Sequence, residues 1–510
     1  MAEEEIAAPA SAPPTDPPMH GLQSKGLKKG SVSLVGAVAI GLAGTAPAYS
    51  LTGALGHGAA EAGYQLPVVF IIAVVPMFFV ALAYKHLTDA APDAGTVFTW
   101  GSKAIRPHVG WIGGYAMLLA CVLAGVGAAG ITVNAVTNAL GVKNASNWLQ
   151  MAIAAAFILT TTWLVARGAE ESSRTTLLLT VIQYGGLILF AAILAINVLH
   201  SHRNPTAEAF SWNWFNPFAI DSFAALLGGF LVAVFIFWGF DAALSLSEET
   251  AGTPGQSGRS GVVAILLTVM IYVMIGVAAL AFAGIDPTSS LSLTHEANVN
   301  DVFAGLARNA VGPVGAVAAS VVIGLSAFSS TVSTLMSNVR STLSMATYKA
   351  LPDRFASVDD VVQTPKFATW FIGMTTLAVY SGLTWFSDSI IEDCVYSAAI
   401  AIITYYSVVA IACVLYFWDT AFESWRTAWG QVILPGLAAL ILIPAGVFEA
   451  YQMAQPNTSG ASLAGVGVVF IIGVASLLFG VLLMILWNLK APAFFRGQTL
   501  KRERTQRNKP

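Results

Sequence analysis

Long apolar stretches alternate with short polar segments along most of the chain. A helix needs about 20 apolar residues to cross a hydrocarbon core roughly 30 Å thick, and a window of that length finds twelve candidate spans. They lie at about 32–55, 66–87, 110–138, 148–166, 176–199, 222–247, 261–284, 313–347, 367–386, 391–416, 429–449 and 463–488. The pattern therefore predicts an all-α integral membrane protein with about twelve transmembrane helices.

Composition agrees with a lipid environment. Hydrophobic residues make up 56% of the 510 and charged residues 10%, against roughly 25% charged residues in an ordinary soluble domain. Because this charge is too sparse to cover a water-exposed surface, composition excludes a soluble enzyme and a nucleic-acid-binding protein. The seven histidines are scattered without metal-ligand spacing, so we expect neither a metal site nor a cofactor.

The two ends of the chain predict its orientation. Residues 1–24 begin with acidic residues and continue with prolines, unlike a secretory signal, and predict a disordered cytoplasmic tail. With the N-terminus inside and twelve spans, all but three of the 24 Lys and Arg are cytoplasmic; Lys143, Arg203 and Arg308 are the exceptions. This distribution satisfies the positive-inside rule. We expect a cell-membrane protein with both termini inside, ending in a basic cytoplasmic tail at 490–510.

The first predicted span contains a sequence that interrupts a helix. The run Gly41-Leu-Ala-Gly44-Thr45-Ala46-Pro47 combines two helix-weakening glycines with a proline that lacks a backbone donor. Unwound backbone is tolerated in a membrane only where it lines a protein cavity, so a break here indicates a site. The alternative is that the glycines serve close packing against a neighbouring helix.

The sixth predicted span carries an ionisable residue inside an apolar run. Asp241 ends the sequence Phe235-Ile-Phe-Trp238-Gly-Phe-Asp241, and the apolar pattern continues to residue 247. Burying a carboxylate there costs at least ~2.5 kcal/mol, so we expect it to face a polar cavity or partner, unless the span ends early and leaves Asp241 at the interface. Breaks in spans 1 and 6, equivalent members of two five-helix halves, favour an inverted repeat with a midplane site.

Three stretches resemble the amino acid–polyamine–organocation superfamily of permeases. They are the segment at 82–111 with Pro92-Asp-Ala-Gly95, the segment Trp238-Gly-Phe-Asp-Ala-Ala243 followed by Glu248-Glu249, and the segment from Asn338-Val-Arg340 to Pro365. The resemblance covers roughly residues 30–420. It implies a LeuT-type fold, with two inverted five-helix repeats at 25–420, helices 1 and 6 broken, and two additional transmembrane helices at 421–489.

The resemblance also implies a function, that of a secondary transporter moving amino acids by alternating access. The substrate carboxylate would meet freed amides of helix 1 and the amino group freed carbonyls of helix 6, in agreement with the partial charges at half-helix ends. An aromatic gate would correspond to Phe235, and Asp241 would either couple binding to protonation or cap the helix. The residues assigned to the substrate in this way are Ala43, Gly44, Thr45, Phe235, Trp238 and Asp241.

Ion coupling is where the sequence departs from the family pattern. Many proton-coupled relatives carry a lysine nine residues after the helix 5 arginine, and counting from Arg174 leads to Gln183, which has no titratable proton. Ser329 and Ser330 lie where sodium-coupled relatives place hydroxyl ligands, although serines in membrane helices often bond their own backbone. Proton coupling, sodium coupling, exchange and facilitated diffusion stay open, and so does the oligomeric state. A polyamine or other organic-cation carrier is the alternative to an amino acid permease.

Overall fold

The computed structural model describes residues 25–142, 145–252, 254–296, 298–299, 301–385, 390–455, 462–463 and 465–503. The predicted disordered tail at 1–24, Lys143 of the predicted outer loop and the tail beyond Glu503 lie outside these residues. So does the side chain of Phe235, the predicted gate.

The described residues are almost entirely helical. The α-helices are α1 Leu34–Gly44, α2 Pro47–Ala62, α3 Leu66–Ala90, α4 Val97–Ala104, α5 Pro107–Ala139, α6 Asn147–Ala166, α7 Ala169–Leu199, α8 Phe223–Ile236, α9 Pro254–Ala283, α10 Val302–Val311, α11 Pro313–Thr347, α12 Lys366–Leu383, α13 Ile390–Phe417, α14 Trp425–Ala428, α15 Leu434–Ala454, α16 Val468–Lys490 and α17 Pro492–Phe495. Short 3-10 helices occupy Gly63–Gln65, Trp212–Phe215, Pro217–Ala219, Phe240–Leu246, Asp353–Ala356 and Ala421–Glu423, and a π-helical turn occupies Trp429–Ile433. Two short strands, β1 Ser462–Leu463 and β2 Val466–Gly467, pair antiparallel.

Nine segments of the described chain are long and apolar enough to cross a membrane. They are Leu34–Ala90, Pro107–Thr137, Asn147–Ala166, Ala169–Leu199, Gln256–Ala283, Pro313–Thr347, Ser397–Phe417, Trp425–Ala454 and Val469–Lys490. The first is 57 residues long and contains two of the predicted spans, while the windows at 222–247 and 367–386 correspond to the shorter α8 and α12. The membrane-protein class is therefore confirmed, and the number twelve stays a prediction.

The first predicted span is interrupted between α1 and α2. Helix α1 ends at Gly44, and Ala46 then adopts the left-handed region with φ 46° and ψ 58°. Pro47 begins α2, because a proline has no backbone N–H to continue the hydrogen-bond ladder of α1 but suits the first position of a new helix. The chain thus leaves the α-helical conformation within the stretch 41–47 that the sequence singles out.

The sixth predicted span consists of two short pieces. Helix α8 ends at Ile236, Gly239 has a φ of +101°, and the 3-10 helix Phe240–Leu246 follows. Glycine suits this position because it populates positive φ without a steric penalty. Asp241 accordingly lies in the first turn of the 3-10 helix, not in the middle of one continuous α-helix.

The two interruptions lie against each other. A Cβ atom added to Gly44 would overlap the carbonyl oxygen of Gly239, and one added to Gly239 would overlap the carbonyl oxygen of Gly44. The backbones of the two breaks are therefore in direct contact. We refer to residues 44–47 and 237–239 together as the paired breaks.

Both described chain ends lie at one end of the helix bundle, which we call the terminal end. The Lys25 ammonium lies 5.8 Å from the ring centre of Tyr348, and the Thr499 hydroxyl donates to the Tyr348 carbonyl at 2.6 Å. The predicted basic tail is folded as far as Glu503, with Phe494 buried and stacked on Phe98 at 5.2 Å. Its chain packs on the helices, which a count of basic residues does not indicate.

Candidate functional site

Asp241 lies beside the paired breaks, held by three tyrosines that we call the tyrosine cage: Tyr84, Tyr405 and Tyr406. The carboxylate accepts hydrogen bonds from Tyr406 at 2.9 Å, Tyr405 at 3.2 Å and Tyr84 at 3.3 Å. Asp241 is buried, and none of the ion pairs in the described part of the chain includes it. The polar partner expected from the sequence is thus a set of hydroxyl donors, which compensate for the lost hydration of the carboxylate.

The tyrosine cage also holds the break that follows α8. The indole nitrogen of Trp238 donates to the Tyr405 hydroxyl at 2.6 Å, and the Gly239 amide donates to the Tyr406 hydroxyl at 3.3 Å. Tyr405 and Tyr406 are consecutive residues of α13. The sequence shows this tyrosine pair inside an apolar span, but aromatic residues there are more often packing residues, so its role at Asp241 was not predicted.

A small cavity of about 10 Å³ opens beside Asp241. Its lining comes from α5, the segment at 238–242, α11 and α13, and consists of Met117, Trp238, Gly239, Asp241, Ala242, Thr334, Ser337, Asn338 and Tyr405. The Asn338 amide oxygen is buried and has no hydrogen-bond partner among the described residues. This volume holds about one water molecule, so an amino acid fits only after the walls move apart.

Tyr272 of α9 connects the two paired breaks. Its hydroxyl lies 2.7 Å from the carbonyl oxygen of Ile236, the last residue of α8, and 3.2 Å from that of Thr45. These carbonyls are at the carboxyl ends of α8 and α1, where helices carry partial negative charge. The only sequence signal for this contact is a single tyrosine inside the apolar run of α9, and the sequence predicted no role for it.

The amides predicted to receive a substrate carboxylate are engaged within α1. The Thr45 amide donates to the Gly41 carbonyl at 3.3 Å and the Ala46 amide to the Ala43 carbonyl at 3.0 Å. Gly44 is the last residue of α1. The assignment of Ala43, Gly44 and Thr45 to the substrate stays a prediction, and in this conformation it requires these hydrogen bonds to open.

Backbone donors also face the break from the other side, in the first turn of α2. The first amides of a helix have no acceptor within it; after Pro47, which has no N–H, these are the amides of Ala48 and Tyr49. The Tyr49 amide donates to the Ser326 hydroxyl at 3.3 Å. A second half-helix that begins with a proline predicts such donors. The sequence nevertheless leaves open where α1 ends and α2 begins.

Of the four residues of the predicted coupling site, Asp241 lies in the tyrosine cage, Ser330 contacts the end of α1, and Gln183 and Ser329 contact each other. The Gln183 amide nitrogen donates to the Ser329 hydroxyl at 3.2 Å, and the Ser330 hydroxyl donates to the Gly44 carbonyl at 3.0 Å. Ser329 itself donates to the carbonyl of Ser326, three residues earlier in α11, at 3.1 Å. Ser330 therefore joins α11 to one of the paired breaks, and Gln183 joins α7 to α11. Their role in ion coupling stays a prediction.

A buried cluster of charges closes the terminal end. The Lys25 ammonium lies 2.7 Å from Asp93 and 2.6 Å from Glu248, and the Lys25 and Asp93 side chains are almost fully buried. Burial alone raises the pKa of Asp93, but the ion pair with Lys25 and hydrogen bonds from Lys25, Ser344 and the Gly95 amide lower it to about 2. Burial alone lowers the pKa of Lys25, and its two carboxylate partners raise it above the ordinary value. We call these three residues the Lys25 cluster.

A second buried ion pair lies next to the Lys25 cluster. The guanidinium of Arg340 in α11 donates to both carboxylate oxygens of Glu249, at 2.7 and 3.1 Å, and both side chains are fully buried. The Val32 amide donates to the Glu249 carbonyl at 3.1 Å, and the Ala251 amide donates to the Val32 carbonyl at 2.8 Å. The segment before α1 is thus paired with the segment after the 3-10 helix, which links both broken spans at this end.

Comparison with known proteins gives a consistent family. Residues 31–474 match a family model described as amino acid permease. The branched-chain amino acid permease BcaP of Bacillus subtilis (strain 168) is 26% identical over 339 residues, which are 62% of this chain and 67% of that protein. The arginine/ornithine antiporter of Latilactobacillus sakei is 23% identical over 385 residues, 75% of this chain and 78% of that protein. The low-affinity putrescine importer PlaP of Escherichia coli (strain K12) is 27% identical over 254 residues, 49% of this chain and 53% of that protein.

Proposed function

Because the chain belongs to the amino acid permease family, we propose that it moves an amino acid across the cell membrane by alternating access around the paired breaks. The family and the apolar helices make it a multi-pass membrane transporter and not an enzyme. The proposed topology has twelve spans, an inverted five-plus-five repeat and both termini in the cytoplasm. The contact between Gly44 and Gly239 is the observation that carries the proposal, because it places four half-helix ends at one point.

The paired breaks suit a zwitterion. The amino end of α2 carries partial positive charge, and the carboxyl end of α8 carries partial negative charge. We assign the substrate carboxylate to Ala43, Gly44 and Thr45 on one side of the first break and to the Ala48 amide on its other side. The amino group is assigned to the Ile236 carbonyl, which now bonds Tyr272.

The side chains around the α8 break complete the proposed site. Trp238 and Asp241 line the small cavity, and Phe235 is assigned to close over the bound substrate. Because the cavity is about the size of one water molecule, binding requires α1, α2, α8 and the 3-10 helix to move relative to α5, α6, α11 and α12. In this topology the Lys25 cluster closes the cytoplasmic end of the transporter. It must open before the substrate can be released into the cytoplasm.

Ion coupling in this proposal does not use a helix 5 lysine. Gln183 has no proton to release at physiological pH, so coupling to protons would run through another group, and Asp241 is the carboxylate at the site. The Ser330 bond to the Gly44 carbonyl supports a role for α11 in sensing the position of α1. Sodium coupling would use the hydroxyl groups of Ser329 and Ser330 in the same part of α11.

A ligand panel on the purified full-length protein tests the proposed site. A ligand at 100 times its dissociation constant adds about 2.7 kcal/mol to the folded state, which shifts the melting temperature measurably. We expect stabilisation by at least one amino acid and a smaller effect from its decarboxylated analogue. We also expect Gly44→Leu and Asp241→Asn to abolish this stabilisation and proteoliposome uptake.

Two results would count against the proposal. Stabilisation by amines alone would favour an organic-cation carrier, for which Asp241 would be the counter-ion. Full transport by both Gly44→Leu and Asp241→Asn would place the site elsewhere in the protein.

A further inference from the structure

The carboxylate of Glu449 lies within a membrane-spanning segment, apart from the site described above. Glu449 is in α15, five residues before its end at Ala454, within the span Trp425–Ala454. It lines a cavity of about 10 Å³ between three helices, together with Leu231 and Val234 of α8 and Ala399, Ile402 and Ile403 of α13. We call this the Glu449 pocket. An ionisable residue at such a position is costly and indicates a function unless it has a structural partner.

The helices around the Glu449 pocket supply no cation. None of the ion pairs among the described residues includes Glu449. The sequence has no Lys, Arg or His between Lys366 and Arg426, or between Arg426 and Lys490, and α8 has none either. The other five pocket residues are aliphatic, so the chain offers this carboxylate no counter-ion from α8, α13 or α15.

The Glu449 pocket lies one helical turn from the paired breaks. Val234 comes two residues before Ile236, where α8 ends. On α13, Ile402 and Ile403 come three residues before Tyr405 and Tyr406 of the tyrosine cage. At a rise of 1.5 Å per residue these separations correspond to roughly 3–5 Å along each helix. Along these two helices the separation is therefore shorter than an extended lysine side chain.

The size and chemistry of the pocket suit an ammonium group at the end of an alkyl chain. Its volume holds about one water molecule, which is also the approximate size of an ammonium group, and its aliphatic walls suit methylene groups. We propose that the Glu449 pocket binds the distal ammonium group of a cationic substrate whose other end lies at the paired breaks. This inference rests on the proposed function and names its substrate class, a basic amino acid.

Comparing the affinities of matched ligands tests what the distal charge contributes to binding. L-lysine and L-norleucine have similar side chains but differ in the terminal ammonium, and putrescine carries two ammonium groups without a carboxylate. On the full-length protein we expect Glu449→Gln to weaken L-lysine binding more than about tenfold, the equivalent of ~1.4 kcal/mol. Norleucine binding should change less than about twofold, equivalent to ~0.4 kcal/mol. Glu423→Gln, at an exposed position, is the control and should affect neither ligand.

A measurement on the unmodified protein keeps the inference testable if Glu449→Gln does not fold. An apolar carbodiimide reacts with membrane-embedded carboxyl groups, and mass spectrometry locates the adduct. We expect L-lysine to protect Glu449 from the reagent and norleucine to leave it reactive. Protection by putrescine and not by lysine would contradict both the inference and the proposed function, because putrescine has no carboxylate.

Three further results would overturn the inference. They are equal losses for lysine and norleucine in Glu449→Gln, no loss for either, and a native protein that binds norleucine but not lysine. The last result would leave the proposed amino acid permease function standing. A native protein that binds none of the three ligands and no other amino acid of the ligand panel would overturn both.

Discussion

At the scale of single residues, the paired breaks depend on two glycines for different reasons. Gly239 has a φ of +101° and faces the Gly44 carbonyl, whereas Gly44 is the last residue of α1 and faces the Gly239 carbonyl. A side chain at Gly239 therefore meets both backbone strain and a steric overlap. At Gly44 it meets the overlap alone.

We expect Gly239→Ala to abolish transport and to lower stability. The left-handed conformation alone costs a non-glycine residue about 1–2 kcal/mol, and the new Cβ would separate the two breaks. Gly53→Ala in α2 is the matched control, because nothing lies within 4 Å of its added Cβ. Uptake into proteoliposomes and the melting temperature measure the two effects. Normal uptake by Gly239→Ala would show that the contact between the breaks is dispensable.

The hydroxyl of a single residue, Tyr272, links the two broken spans. Tyr272→Phe keeps the ring but leaves the Ile236 carbonyl without this donor, which we expect to cost about 1–3 kcal/mol. Because the lost bonds are at the paired breaks, transport should fall together with stability. Tyr115→Phe removes a similar bond, to the Ser476 carbonyl at 2.8 Å, and should reduce stability with little effect on substrate affinity. Equal effects of the two variants on affinity would contradict a role for Tyr272 at the site.

At the scale of elements, the Lys25 cluster joins the segment before α1 to the loop after α3 and to the end of the 3-10 segment. Removing one partner of a buried ion pair costs about 3–5 kcal/mol, whereas an exposed pair contributes about 0–1 kcal/mol. We therefore expect Lys25→Met to increase hydrogen exchange in residues 25–33 strongly. Lys28→Met, which removes the exposed pair with Glu170, is the control and should change exchange little. Equal exchange in both variants would show that the cluster does not close the terminal end.

The Lys25 cluster also has a defined pH window. Asp93 has its pKa lowered from 3.8 to about 2 in the folded protein, so its contribution is complete above pH 3.8 and is lost as the pH falls through about 2. Lys25 has its pKa raised from 10.5, so its contribution is complete below pH 10.5 and is lost as the pH rises through the raised value. Protection of residues 25–33, corrected for intrinsic exchange, should therefore be constant between about pH 5 and 9.

The sequence predicted the positions of these elements better than their contacts. Glycine and proline near residues 41–47, and an aspartate in an apolar run, indicate breaks because their local backbone chemistry disfavours a helix. The partners of those breaks come from distant helices: Tyr272 is more than 200 residues from Thr45, and Tyr406 is 165 residues from Asp241. A hydrophobicity pattern carries no information about which distant hydroxyl groups will face a break, so the tyrosine cage was not predictable.

At the scale of the whole molecule, both described chain ends contribute to the same surface. Lys25 lies against Tyr348 from one side, and the segment at 491–503 covers it from another through the Thr499 bond to its carbonyl. Phe494, Phe495 and Leu500 are buried against a cluster that includes Phe98 and Tyr348. A count of basic residues predicts only that this segment stays on one side of the membrane. The aromatic pair at 494–495 is the signal that it also folds onto the helices.

The folded part of the C-terminal segment should therefore contribute to the stability of the whole protein. Burying one Phe or Leu side chain stabilises by about 1.5–3 kcal/mol, so we expect truncation after Lys490 to lower the melting temperature of the purified protein clearly. Truncation after Glu503, which keeps the whole packed segment at 491–503, is the control, and the melting temperature should fall more after Lys490 than after Glu503. Because Phe494 and Phe495 lie away from the paired breaks, the protein truncated after Lys490 should still bind substrate at a temperature where it is folded. Unchanged melting after that truncation would show that the segment packs on the bundle without stabilising it.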